Sequence, residues 1–393
     1  DGWANGATTI KTFTNSGTII GGSNAFSIQV GKYNQGGATI ETFDNQGIIG
    51  NGTSRFGIVV LGKNNDKSTI NNFNNSGTIH SNDEAIYLNN ANVSTFKNEG
   101  TISSNNSYGI NIDSEAAINN FTNSGVINGN SSGIFVASNI KTLINSGTII
   151  GTNNASSNAG IKLESGGTID NIINSGTINS NNSGISVTHG KFGTLTIKDG
   201  GIVRGKRAGI NVGQWQTLGD LNIDGGKSSK KDGTVSGVYG DLYGISLEYY
   251  SNTSKIELKN GGVIKGDVSG IRLISGASLS GEMILSGEGS RVEGGSDAGI
   301  SNESGKITGS IKVENGATVT SSSGQAISNF GSGTITGGIT VSGSNTKLEG
   351  NIVNTGNASI GSEIKVENGA KVEGGITNTG SASISGNIVV DKD

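Results

Sequence analysis

Apolar positions along this chain fall in short alternating runs, and the same three runs return many times. One run closes on a large apolar residue: Ile10 to Phe13, Ile40 to Phe43, Ile70 to Phe73, Val93 to Phe96, Ile118 to Phe121, Ile140 to Leu143 and Ile169 to Ile172. Each is followed by the phrase Asn-x-Gly-[Thr/Ile/Val]-Ile, whose glycines (Gly17, Gly47, Gly77, Gly100, Gly125, Gly147, Gly176) are spaced by 30, 30, 23, 25, 22 and 29 residues. A further run places a small residue before Ile, as in Gly109-Ile110-Asn111-Ile112 and Gly133-Ile134-Phe135-Val136, and persists as far as Gly270-Ile271-Arg272-Leu273. Apolar residues at i and i+2 are the alternation of a strand with one buried face. Each repeat therefore predicts three short strands.

A unit of this length cannot bury its own apolar face and must stack on its neighbours, so the period predicts a solenoid. From about Leu195 the dialect changes to units such as Ile256-Glu257-Leu258-Lys259-Asn260-Gly261 and Ile311-Lys312-Val313-Glu314-Asn315-Gly316, without a break in composition that would mark a linker. The predicted fold is all-β, a right-handed parallel β-helix of about 14 three-stranded coils, roughly 65–70 Å long at the usual strand spacing. It forms one domain over residues 1–393, with Asn-Ser-Gly-Thr-Ile coils over 1–190 and Asn-Gly-Ala or Gly-Gly coils over 191–393. Ile58, Ile86, Ile110, Ile134, Ile161, Ile185 and Ile210 are predicted to form one inward column, and Phe13, Phe43, Phe73, Phe96 and Phe121 a second. Leucine-rich repeats have overlapping periods, but the buried positions here are Ile, Val and Phe and no helical period accompanies them.

Asn, Asp and Gly at the corners suit left-handed turn conformations, a structural role that needs no ligand. Only 32% of residues are hydrophobic, low for a globule but natural for a thin core with Ser, Thr and Asn outside. The net charge of −4 is spread along the chain, which disfavours nucleic acid as a partner. There is no Cys, hence no disulfide or thiolate metal site, and no Pro, so every backbone N–H is free to join in-register stacking. The chain opens at Asp1 and has no apolar run long enough to cross a membrane, so it reads as a processed segment.

The repeated Asn-Ser-Gly-Thr-Ile corners, the Gly-Ile-x-Val strands and the cysteine-free composition resemble the passenger domain of a bacterial type V autotransporter. The adhesin-like and vacuolating-cytotoxin-like passengers of Helicobacter and Campylobacter relatives are the nearest in character. The resemblance covers nearly the whole chain but is carried by structural corners. It implies export through a C-terminal translocator β-barrel, absent from this sequence, and a location at the bacterial cell surface (outer membrane) or in the medium.

Neither H-E-x-x-H nor a Walker loop is found. His80 and His189 stand coils apart and read as solvated corner residues. Glu314, Glu349, Glu367 and Glu373 alternate with Lys312, Lys347, Lys365 and Lys371, which predicts a solvated charge lattice between coils. Calcium-binding nonapeptides are not repeated, and Asp199, Asp224 and Asp232 sit beside glycines as ordinary turn residues. No cofactor or metal is implied, and the chain is read as a non-enzyme.

One stretch breaks the rhythm. The interval from Ile210 to Ile245 is 35 residues, against 24 to 30 for the other intervals between Ile28 and Ile327, which predicts an insertion near 227–239. Trp215, Tyr239, Tyr243, Tyr249 and Tyr250 fall in these coils with Arg204, Lys206, Arg207, Lys227, Lys230 and Lys231. Aromatic rings supply contact area at low entropic cost, and cations meet sulfate or sialate. These eleven residues form the candidate partner-binding set, and the alternative is that the insert is only a surface loop. The expected function is a monomeric adhesin that binds a host-cell surface glycoprotein, a glycan or a matrix protein. The alternatives are the stalk or receptor-binding part of a secreted toxin, or a β-helix polysaccharide-active enzyme.

Overall fold

The computed structural model describes residues 8–33, 37–63, 65–155, 158–226 and 235–391. These contain no helix; their strands pair in parallel and stack into a β-solenoid of about fourteen turns. The chain divides into two units, Asp1–Asn182 with His189–Lys191, and Ser183–Thr188 with Phe192–Asp393. The division falls where the corner phrase changes.

In the first unit each turn has three faces. The first face holds the long strands, among them Thr8–Asn15, Ala38–Asn45, Ser68–Asn75, Ala91–Asn98 and Ala117–Asn123. The second holds short strands such as Thr78–Ser81 and Thr101–Ser104, and the third holds Phe56–Leu61, Ile86–Asn89, Tyr108–Ile112 and Ser132–Val136. Register is set by like residues stacking on like. Ile58, Ile86, Ile110, Ile134 and Ile161 pair in sequence and are fully buried. Phe13, Phe43, Phe73, Phe96 and Phe121 form the predicted second column, with ring centroids 4.5–4.9 Å apart, the strand spacing itself.

The Asn-x-Gly corners of this unit differ from expectation. Asn15, Asn45, Asn75, Asn98, Asn123 and Asn145 are not in left-handed turns; they close the first-face strands with their side chains buried. Each donates from Nδ2 to Oδ1 of the equivalent Asn in the next turn, at 2.7–2.8 Å, ending on Asn174. A buried amide offers donor and acceptor together, so an in-register column of them satisfies itself. The glycine two positions on is needed for close approach rather than for its φ: a Cβ at Gly100 would penetrate the Gly77 carbonyl.

The second unit repeats the three faces, with Ile185, Ile210, Ile245, Ile271, Ile300, Ile327, Ile352 and Ile376 in one column. Here the turn expectation holds, since Asp199, Asn260, Asn315 and Asn368 have φ of 54°, 52°, 56° and 55°. A second amide ladder, Asn302 to Asn329 to Asn354 to Asn378, follows the third-face strands instead. Two departures from three strands per turn occur. From Ser278–Leu279 and Met283–Ser286 onward the first face is broken into two short strands, and Thr318–Phe330 and Lys347–Asn354 each run through the second and third faces without a turn.

Candidate binding site

The residues proposed from the sequence are distributed over several sides of the second unit. Arg204 and Tyr239 occupy neighbouring outward positions on the second face, on strands Ile202–Gly205 and Gly237–Gly240, and Lys265 follows them in register. Tyr239 thus belongs to a regular strand and not to the insertion; its hydroxyl donates to the Val235 carbonyl at 3.1 Å, and burial raises its pKa. Tyr243 opens the third-face strand Tyr243–Leu247. There the Arg272 guanidinium lies 4.9 Å from its ring centroid and donates to its hydroxyl at 3.1 Å. Lys227, Lys230 and Lys231 lie outside the described residues.

The arginines have carboxylate partners. Arg207 bonds Glu248 at 2.9 Å, with Ser246 donating to the same oxygen, and Arg204 sits 3.6 Å from Asp241. An arginine already engaged must give up that pair to hold sulfate or sialate. Lys206 is exposed on the turn between the second and third faces.

Trp215, Tyr249 and Tyr250 do come together, at the corner between the third and first faces. Trp215 and Tyr250 occupy adjacent turns, their rings 4.3 Å apart and 10° from parallel, and the Trp215 amide donates to the Tyr249 carbonyl at 3.1 Å. They are 66% and 54% exposed, and Tyr249 is 49% exposed. Below Tyr250 the next turn carries Gly276, where a Cβ would come within 2.6 Å of the tyrosine ring. The absence of a side chain there lets the ring lie flat. Trp215 has φ of 65° and Tyr250 of 56°; the other ten described non-glycine residues with positive φ are Asn, Ser, Asp or Glu. Left-handed backbone at a bulky residue costs about 1–3 kcal/mol and is retained where something compensates for it. The ring stack returns only about 0.5–1.5 kcal/mol.

A second aromatic surface was not anticipated from the sequence. On the outward side of the third face in the first unit, Phe26 meets Phe56, Phe56 meets Tyr87, and Tyr108 stacks on Phe135 at 4.5 Å. Lys162 lies 5.6 Å from the Phe135 centroid, and its side chain is 7% exposed. The alternation Gly-Ile-x-Val hides this surface, because Phe26, Phe56 and Tyr108 stand two residues before the Ile while Tyr87, Phe135 and Lys162 take the x position, and only in-register stacking brings the two sets together. Tyr87 donates to Asp113 at 2.9 Å; burial first, and that bond second, push its pKa up to about 12.

The remaining candidates take structural places. His80 is on strand Thr78–Ser81 rather than at a corner, with Nδ1 2.7 Å from Ser103 Oγ, while His189 is exposed at a corner as expected. Asp224 is held below its ordinary pKa: burial opposes this, but Asn260, the Gly226 amide and Lys259 outweigh it. Of the lattice between coils read from the sequence, Lys347 reaches Glu373 (3.3 Å) in the next turn and Lys312 reaches Glu282 in the turn before, whereas Lys347–Glu349 (3.6 Å) and Lys365–Glu367 (2.6 Å) pair within one strand. Among the described residues no group of three or more His, Asp or Glu is placed to hold a metal ion. Compared with protein-family models, curated proteins and solved structures, the chain matches none.

Proposed function

We propose that this chain is the passenger part of a bacterial autotransporter, displayed at the cell surface or released from it, and that it acts as an adhesin toward host cells or extracellular matrix. The observation that carries the reading is the Trp215–Tyr250 pair, two large rings kept exposed at the cost of left-handed backbone. Exposed aromatics are the side chains that most often anchor a contact between molecules. A solenoid suits this use because each turn adds outward positions without altering the stacked core. In the precursor a translocator β-barrel would deliver it, and the partner would be a host glycoprotein, glycan or matrix protein.

The test is attachment of the purified, fluorescently labelled chain to epithelial cells and to immobilised matrix proteins. Saturable attachment without release of reducing sugar or peptide fragments is the expected result. No attachment to any of these surfaces, or turnover abolished by changing one carboxylate, would end the adhesin reading.

A further inference from the structure

The aromatic surface on the third face of the first unit repeats an arrangement of ring, cation and carboxylate. At one end the Arg55 guanidinium lies 4.9 Å from the Phe56 centroid and pairs with Asp83 at 3.3 Å. At the other the Lys162 ammonium lies 5.6 Å from the Phe135 centroid and pairs with Glu164 at 2.5 Å. Between these ends stand the half-buried rings of Tyr87 and Tyr108 and the carboxylates of Glu84 and Asp113. Glu84 accepts from Ser107 at 3.2 Å, and Asp113 accepts from Tyr87 at 2.9 Å and from the Ser114 amide at 2.8 Å. Among the described residues neither carboxylate has a cationic partner, and Lys67, which reaches the adjoining Glu115 at 3.4 Å, is taken by it. The middle of the surface therefore has the rings and carboxylates of its two ends without the cation.

Two further observations point to positive charge. Burial first, and then the fields of Glu164, Glu84 and Asp113, raise the pKa of Tyr108, so three carboxylates act on one ring and only Glu164 is neutralised. Asn111, in register between Tyr87 and Phe135, is 7% exposed, and its Oδ1 is buried without a hydrogen-bond partner. A ring face attracts a cation, and carboxylates and an orphaned carbonyl oxygen take N–H donors. Asp113 also lines a cavity of about 520 Å³ with Ser114, Glu115, Ser138 and Ser165, and its lining includes no cation. That cavity leaves room for the remainder of a ligand.

We infer that this middle stretch is a binding site for an organic ammonium group, that of a free alkylamine or of a lysine side chain, seated at Tyr108 with Glu84 and Asp113 as its counter-ions. The ammonium lays its polarised hydrogens on the ring and gives its remaining N–H groups to the carboxylates, completing the arrangement that Arg55 and Lys162 complete at the two ends. The inference goes beyond the adhesin reading and does not rest on it, since the Trp215 corner belongs to the other unit.

The experiment is calorimetric titration of the full chain at neutral pH and low salt with pentylamine, cadaverine and Nα-acetyl-lysine methylamide, and with pentanol and pentanoate as neutral and anionic counterparts. Saturable binding of at least one ammonium compound is expected, with none of pentanol or pentanoate. The double variant Glu84→Gln, Asp113→Asn keeps acceptors for Ser107 and Tyr87 while removing both charges, and is expected to weaken binding at least about tenfold with the β-sheet circular dichroism unchanged. Tyr108→Phe, which keeps the ring and its stack on Phe135, is expected to bind within about threefold of the parent, and Tyr108→Ala at least about tenfold more weakly. Pentylamine or cadaverine binding at least about tenfold tighter than the lysine derivative assigns the site to free amines, and comparable affinities assign it to a lysine side chain of a partner. No saturable binding of any ammonium compound, pentanol binding as well as pentylamine, or undiminished binding by the double carboxylate variant overturns the inference.

Discussion

Asn98 accepts a hydrogen bond from Asn75 at 2.8 Å and donates to Asn123 at 2.8 Å, with Gly100 and Val126 carbonyls at 3.2 and 3.4 Å completing its amide. Asn98→Ala would orphan a donor on one side and an acceptor on the other, so a loss of about 2–4 kcal/mol is expected in chemical denaturation. Asn72→Ala, at an exposed position that reaches only the Glu41 carbonyl, is the control and is expected to cost little. The corner glycines give a sharper pair. Gly100→Ala would drive a methyl into the Gly77 carbonyl, whereas nothing lies within 4 Å of a Cβ at Gly17, in the first turn. The first substitution is expected to lower the melting temperature and the second to leave it unchanged. The sequence announces that Asn and Gly recur here but not why: turn propensity accounts for Asn260-Gly261, while the ladder exists only once equivalent residues are stacked in register.

At the scale of the strand, legibility follows burial. Inward columns were readable because a period-2 pattern, repeated in each turn, leaves one register that buries every Ile. Ile134→Asp places a charge in that column between Ile110 and Ile161 and is expected to cost upwards of about 4 kcal/mol, against about 1 kcal/mol for Ile134→Val. If the Asp variant melts with the parent, the register is wrong. Outward columns were not readable, because the run Tyr87, Asn111, Phe135, Lys162 has no common chemistry in sequence. Tyr87 tests that column. Its phenol ionises near 12 in the fold and at 10.0 when free, so the folded chain holds the extra proton between those values. The contribution is intact below pH 10 and lost as pH rises through 12. A phenolate absorbance titration should find the folded parent and Tyr87→Phe gaining the same absorbance near pH 10, with one further tyrosine ionising near pH 12 in the parent alone, and the alkaline loss of stability should be shallower in Tyr87→Phe.

For the whole molecule, the change of corner phrase near residue 190 and the division into two units coincide, and each unit carries its own amide ladder at a different corner. The candidate site was legible only in composition: aromatic and basic residues crowd residues 204–250, but which of them share a surface depends on the turn each occupies. Trp215 and Tyr250 are 35 positions apart and become ring neighbours because an irregular repeat lies between them. The most direct test of the account is therefore a comparison of two triple variants in attachment to epithelial cells: Trp215, Tyr249 and Tyr250 to Ala, and Phe26, Phe56 and Phe135 to Ala. With β-sheet circular dichroism unchanged in both, the account predicts that the corner variant attaches at least about tenfold more weakly than the parent, while the variant on the third face of the first unit attaches as the parent does. Equal attachment by the two variants would contradict it.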